Sequence, residues 1–284
     1  MKSNVTPLPL RRRVLVSLPS SGPSHSAIEA GRRVAAALDA PLHGLLVWPT
    51  AISPREVPRL LRVDPDALGG MVIDVAVGDP ADRLRTAVLA QPTAFLVLSG
   101  EPHRIGAAGD LAVRALGGSA AGAIVIRPGA SLARLDRILV PLDGTPSTAA
   151  ALGPAGELAQ RAGAALDVVL VEDAAAPPRA EPGAMTPQYV DQPQHEWPAF
   201  SAEFTGRFLG AIGRCPPGVP TRFFLGAGSP AAEILRFADE LESDLVALVC
   251  HGGYSLGATS REVLCASTRP VLVLRGPAAY DKAA

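Results

Sequence analysis

The sequence predicts an α/β fold: two doubly wound, five-stranded parallel-sheet domains in tandem, related by a pseudo-twofold axis. Three observations carry that expectation. Short apolar runs alternate with segments of helical spacing along most of the 284 residues, the pattern of βαβ crossovers whose helices cover both faces of a parallel sheet. The length suits two domains of roughly 100–150 residues, each with its own core. The cycle also repeats in order: Val14-Leu15-Val16 against Ile138-Leu139-Val140, Gly78-Asp79-Pro80-Ala81 against Gly228-Ser229-Pro230-Ala231, and Ala123 to Arg127 against Val271 to Arg275. Three matched points in one order point to duplication, with a first domain over 13–128 and a second over 135–276.

Residues 1–12 read as a tail, and Arg13 to Leu18 as the first strand. Ile28, Val34, Ala35 and Leu38 share one helical face, so Ser26 to Leu38 is a helix that ends near Pro41. Leu42 to Trp48 is the second strand. Prolines at 49, 54, 58 and 65 allow at most short or broken helix before the third strand, Val72 to Val77. In Gly78-Asp79-Pro80, Asp79 caps and Pro80 opens a helix to about Ala90. Ala94 to Leu98, a helix from Asp110 to Leu116, and Ala123 to Arg127 complete the first half.

After the linker from Gly129 to Asp136, Ile138 to Leu142 is a buried strand; Asp143 and Gly144 turn the chain, and Thr145-Pro146 starts a helix to Arg161. Leu166 to Val171 is a strand. The stretch from 172 to 198, with six prolines, reads as a loop or lid. An aromatic-striped helix, Ala199 to Ile212, carries Phe200, Phe204 and Phe208, the stripe that Trp197 begins. Strands at Thr221 to Leu225, Leu245 to Val249 and Val271 to Arg275 alternate with helices at Pro230 to Leu241 and Thr259 to Ala266.

Composition narrows the function. Lys and Arg number 26 against 27 Asp and Glu, with no long run of one sign, which speaks against nucleic acid and anionic membrane as partners. No apolar run reaches membrane-spanning length and Arg11-Arg12-Arg13 precedes no signal-type segment, so a cytoplasmic location is expected. Three cysteines, 215, 250 and 265, lack metal-ligand spacing and fit a reducing compartment.

Chemistry gathers at the turn after Leu142. A carboxylate at the carboxyl end of a parallel strand, beside the amides of a helix start, can meet an anion or a polar ring edge. Pro141-Leu142-Asp143-Gly144-Thr145, Gly228-Ser229-Pro230-Ala231, Cys250-His251-Gly252-Gly253 and Arg269-Pro270-Val271-Leu272 together resemble the universal stress protein family in its tandem form. The resemblance runs from Ile138 to Arg275 and more weakly over 13–128. It implies an adenine-nucleotide-alpha-hydrolase-like fold and a stress-response or signalling role without turnover. It also implies a site for ATP with magnesium, in which an Asp meets adenine and a G-x2-G-x9-G-[ST] loop wraps the phosphates.

Carried over, the resemblance puts Asp143 at adenine, with Pro141 and Leu142 before it, Val171 against the base, and Cys250, Gly252, Gly253, Gly257, Ala258 and Thr259 around the phosphates. Only Gly lets backbone amides approach phosphate oxygens closely. The loop departs from the pattern: Gly252 to Gly257 spans five positions where thirteen are required, Ala258 replaces the hydroxyl, and Val249 stands where the family has Gly. Thr259 can supply a displaced hydroxyl. In the first half Pro19 replaces the Asp, and Asp110 stands where a hydroxyl belongs, so a carboxylate would repel phosphate. That half is expected to bind no nucleotide and to serve for pairing, the fifth strands of the two halves meeting edge to edge. Gly106 and Gly109 read as loop glycines.

Several residues have plainer readings. Asp143 can equally cap its own turn. His251 lacks a nucleophile elbow and reads as a hydrogen-bonding residue rather than part of a triad, Cys250 as a small buried hydrophobe, and the aromatic stripe as core. Two readings therefore stand: a regulatory module binding an adenine nucleotide in its second half, or an interaction scaffold that has lost the phosphate contacts. Its partner would be another protein or a second copy of the chain.

Overall fold

The structure, a computed structural model, describes residues 12–19, 25–100, 105–172, 218–250 and 256–276. Most of the 172–198 stretch, the aromatic helix expected after it, and His251, Gly252 and Gly253 lie outside the described residues. In chain order the elements are β1 (Arg13–Leu18), α1 (His25–Leu38), β2 (Leu42–Val47), α2 (Val57–Leu61), β3 (Met71–Ala76), α3 (Pro80–Ala90), β4 (Thr93–Ser99), α4 (Ile105–Ala115) and β5 (Gly122–Ile126). The second half continues with β6 (Arg137–Leu142), α5 (Pro146–Ala149), α6 (Leu152–Ala162), β7 (Ala165–Glu172), β8 (Thr221–Ala227), α7 (Pro230–Glu240), β9 (Leu245–Cys250), α8 (Ala258–Ala266) and β10 (Val271–Arg275).

All ten strands form one sheet in the order β3-β2-β1-β4-β5-β10-β9-β6-β7-β8. Each half is parallel and doubly wound, with its order reversing between β1 and β4 and again between β6 and β9. The halves join at β5 and β10, the one antiparallel junction, with Val271 opposite Val125 and Val273 opposite Ala123. Both strands thereby lose an exposed edge.

Alternation along the strands feeds two cores that run through both halves. On one face Val14, Val16, Ile138 and Val140 pack under α1 and α6; on the other Leu15, Leu139 and Val246 pack under α3, α4, α7 and α8. Leu132 and Leu135 of the linker are buried in the first of these cores, and α1 grips the linker through Arg33, which donates to the Ala133 carbonyl.

Local differences from expectation have local causes. The helix expected from Thr145 to Arg161 breaks at Ala150 and Ala151 because Pro154 has no N–H and its ring would collide with the Ala150 carbonyl. The chain therefore restarts its helix with Pro154 in the first turn. Before β3, the prolines leave a five-residue α2 between two 3-10 turns, Pro54–Glu56 and Pro65–Leu68. α4 begins at Ile105, five residues before the expected start at Asp110, so Gly106 and Gly109 are helical rather than loop glycines. A Cβ on Gly109 would lie 2.4 Å from both Leu256 Cδ1 and Leu264 Cδ2. That glycine lets α4 of the first half press onto α8 of the second.

Candidate functional site

β6 and β9 are in register at Ile138↔Leu245 and Leu139↔Val246 and then part, although both run on, to Leu142 and Cys250. Pro141 lies in the separated stretch of β6, where its missing N–H costs the ladder nothing. The divergence falls at the carboxyl ends of the central strands, the place where doubly wound sheets bind ligands. Pro141 and Leu142 are buried at the end of β6 and Cys250 at the end of β9. Val171, next to the end of β7, is buried as well.

Asp143 follows the last residue of β6. Its Oδ1 accepts from the Thr145 amide at 3.0 Å, the Thr145 hydroxyl at 2.6 Å and the Thr148 hydroxyl at 2.7 Å. Thr145 in turn caps α5, and its hydroxyl lies 3.0 Å from Ser147 Oγ. Thr145 and Ser147 are both buried. The turn thus holds the carboxylate in one orientation through three donors on one oxygen.

Gly257 is the N-cap of α8 and, being glycine, makes no side-chain cap bond to that helix start. A Cβ placed on Gly257 would meet nothing within 4 Å. Ala258 and Thr259 begin the first turn and are exposed. Arg261, one turn on, is held by Asp110 of α4, its Nη2 donating to Oδ1 at 2.7 Å and its Nη1 to Oδ2 at 3.2 Å. This pairing raises the Arg261 pKa above its ordinary value. Sequence reasoning placed Asp110 at a phosphate helix start; it lies inside α4 and pairs across the junction between the halves. The signal in the sequence is a lone Arg at the fourth position of α8 whose partner is distant along the chain, so only the fold brings them together.

The Cys250 thiol is pushed up to about 12, chiefly by burial, while its hydrogen bond to Ser260 pulls the other way. It is a packed side chain at neutral pH, not a nucleophile. Among the described residues no three His, Cys, Asp or Glu side chains converge as metal ligands, and no helix is long and apolar enough to cross a membrane.

A tandem pair of doubly wound units joined by their fifth strands, with its central strands parting at a switch point, defines the class of protein. Residues 134–275, half of the chain, match the universal stress protein family, and the chain belongs to that family. Among solved structures it is similar to a universal stress protein from Archaeoglobus fulgidus DSM 4304, at 15% identity and TM-score 0.59, over 94% of this chain and 98% of that one. It is also similar to a functionally unknown protein from Pseudomonas aeruginosa PAO1, at 16% identity and TM-score 0.60, over 94% of this chain and 93% of that one. These likenesses give the fold of the whole tandem chain. No curated protein sequence matches it.

Proposed function

We propose that the chain is a stress-response or signalling module, without turnover, whose second half binds an adenine nucleotide where β6 and β9 part. The observation that supports this most is the early parting of those strands, with an oriented carboxylate after the end of β6 and a glycine N-cap at the start of the helix that follows β9. In this reading Asp143 receives the adenine edge, Pro141, Leu142 and Val171 wall the base, and Gly257, Ala258 and Thr259 face the phosphates; Gly252 and Gly253, outside the described residues, are assigned to the phosphates by the family resemblance alone. Magnesium would arrive with ATP on its phosphates. Cys250 closes the floor.

Thermal unfolding of the full chain with and without millimolar ATP and magnesium tests this. A ligand at a hundred times its dissociation constant stabilises a fold by about 2.7 kcal/mol, visible as a higher midpoint. Gly257→Val is the companion variant, because the backbone there has φ −64° and takes any residue without strain, while the added methyl groups fill the open space before the helix. A shift in the parent that is lost in Gly257→Val and Asp143→Ala supports the site. No shift in the parent leaves the second reading, an interaction scaffold. The feature that favours it is the commitment of Asp143 Oδ1 to three donors of its own turn.

A further inference from the structure

We propose that Arg13 and His43 form an acid-sensitive tie that holds the outer edge of the first half, β2, β3 and α3, and releases it when His43 takes up a proton. Arg13 is 4% exposed, on the face of β1 that looks toward α3. Its guanidinium reaches three elements at once: the Ala87 carbonyl in the last turn of α3 at 2.7 Å, Thr93 Oγ1 of β4 at 3.4 Å, and His43 Nδ1 of β2 at 3.3 Å. Arginine has only donors. Nδ1 must therefore be the acceptor, and the imidazole proton sits on Nε2.

Protonation at Nδ1 would remove that acceptor and set a second cation 3.3 Å from a buried guanidinium. The other charged groups around His43 do not cancel this. Asp74 of β3 favours the imidazolium, but it is exposed, as are Asp82, Arg83 and Arg85 of α3. α3 itself presents the Ala87 carbonyl, already taken by Arg13, and β4 presents the Thr93 hydroxyl. The charged residues of α1 belong to the opposite face of the sheet.

Burial first, and Arg13 second, hold the imidazole below its ordinary 6.5, with Asp74 opposing. The sign follows from linkage: the unfolded chain takes up the proton at the higher pH, so the stabilisation is whole above the ordinary value and drains away as pH falls through it toward the lowered one. β3 is the end strand of the sheet, with Val72 exposed near its start, so among the described residues the element released first has a neighbour on one side only.

The test is amide hydrogen exchange over residues 71–90 of the full chain at pH 7.5 and pH 5.5, corrected for intrinsic rates, in the parent and in His43→Gln. Gln keeps an acceptor oxygen for Arg13 and cannot titrate. The expected result is a fall in protection at pH 5.5 of several-fold in the parent and none in His43→Gln, with residues 137–172 unchanged in both. The same fall in both proteins overturns the tie. The NMR titration of the His43 ring in the parent and in Arg13→Gln, assigned among the five histidines, decides the matter independently if His43→Gln does not fold. A midpoint that rises when the Arg13 charge is removed supports the tie, and one that stays where it was in the parent overturns it.

Discussion

Asp167 has no exposed surface, yet it lies in β7 with a bidentate arginine across the ladder: Arg222 Nε donates to Oδ1 at 2.7 Å and Nη2 to Oδ2 at 2.9 Å. Arg137 of β6 stands 3.9 Å away on the other side. The hydrogen bond raises the Arg222 pKa. Removing the arginine leaves a buried carboxylate with only the longer contact, so Arg222→Ala should cost about 3 kcal/mol in urea denaturation, against less than 1 kcal/mol for an exposed pair. An unchanged midpoint would show that Arg137 suffices. Asp167 was not singled out in the sequence, because the register that sets Arg222 opposite it is not written in either strand alone. Cys250 gives a second check. With its thiol pushed up to about 12, it should label with a disulfide reagent far more slowly at pH 7.5 than exposed Cys265, as peptide mass spectrometry can follow.

Among the elements, those with their own punctuation were legible. Gly78 and Gly228 both take left-handed backbone, φ +135° and +141°, directly before a cap residue and a helix-opening proline, so the repeated motif is one turn built twice. Gly228→Ala should destabilise by about 1 kcal/mol or more, read from the thermal midpoint, because a Cβ is strained there whatever the space around it. Elements whose limits depend on tertiary contacts were not legible. α4 opens five residues before the expected Asp110 because packing on α8 carries it, and propensity alone gives Ile105 to Gly109 no start signal. Gly109→Ala should cost about 1–3 kcal/mol by overpacking against Leu256 and Leu264, and Leu264→Ala should recover part of that cost in the double variant. Independent, additive losses would mean the two helices are not in close contact.

At the scale of the molecule, the duplication, the parallel winding and the meeting of the fifth strands were all legible from repeated patterns and from the need to cover an edge. What no pattern announces is how completely the halves share a core: linker residues Leu132 and Leu135 are buried beside strands of both, and Asp110 and Arg261 pair across the junction. The chain should therefore unfold in one cooperative transition seen alike by circular dichroism and calorimetry, rather than in two steps. The candidate site was legible at Asp143, where strand, turn and helix start adjoin in sequence, but not in the parting of β6 from β9, which depends on two strands a hundred residues apart.

The asymmetry between the halves is the central claim: Asp143 stands at the end of β6, where Pro19 follows β1, and Asp110 is spent on Arg261. Calorimetric titration of the full chain with ATP and magnesium measures it directly through the stoichiometry. The account predicts about one nucleotide per chain, with the heat lost in Gly257→Val. Two nucleotides per chain, or none at millimolar ligand, would contradict it.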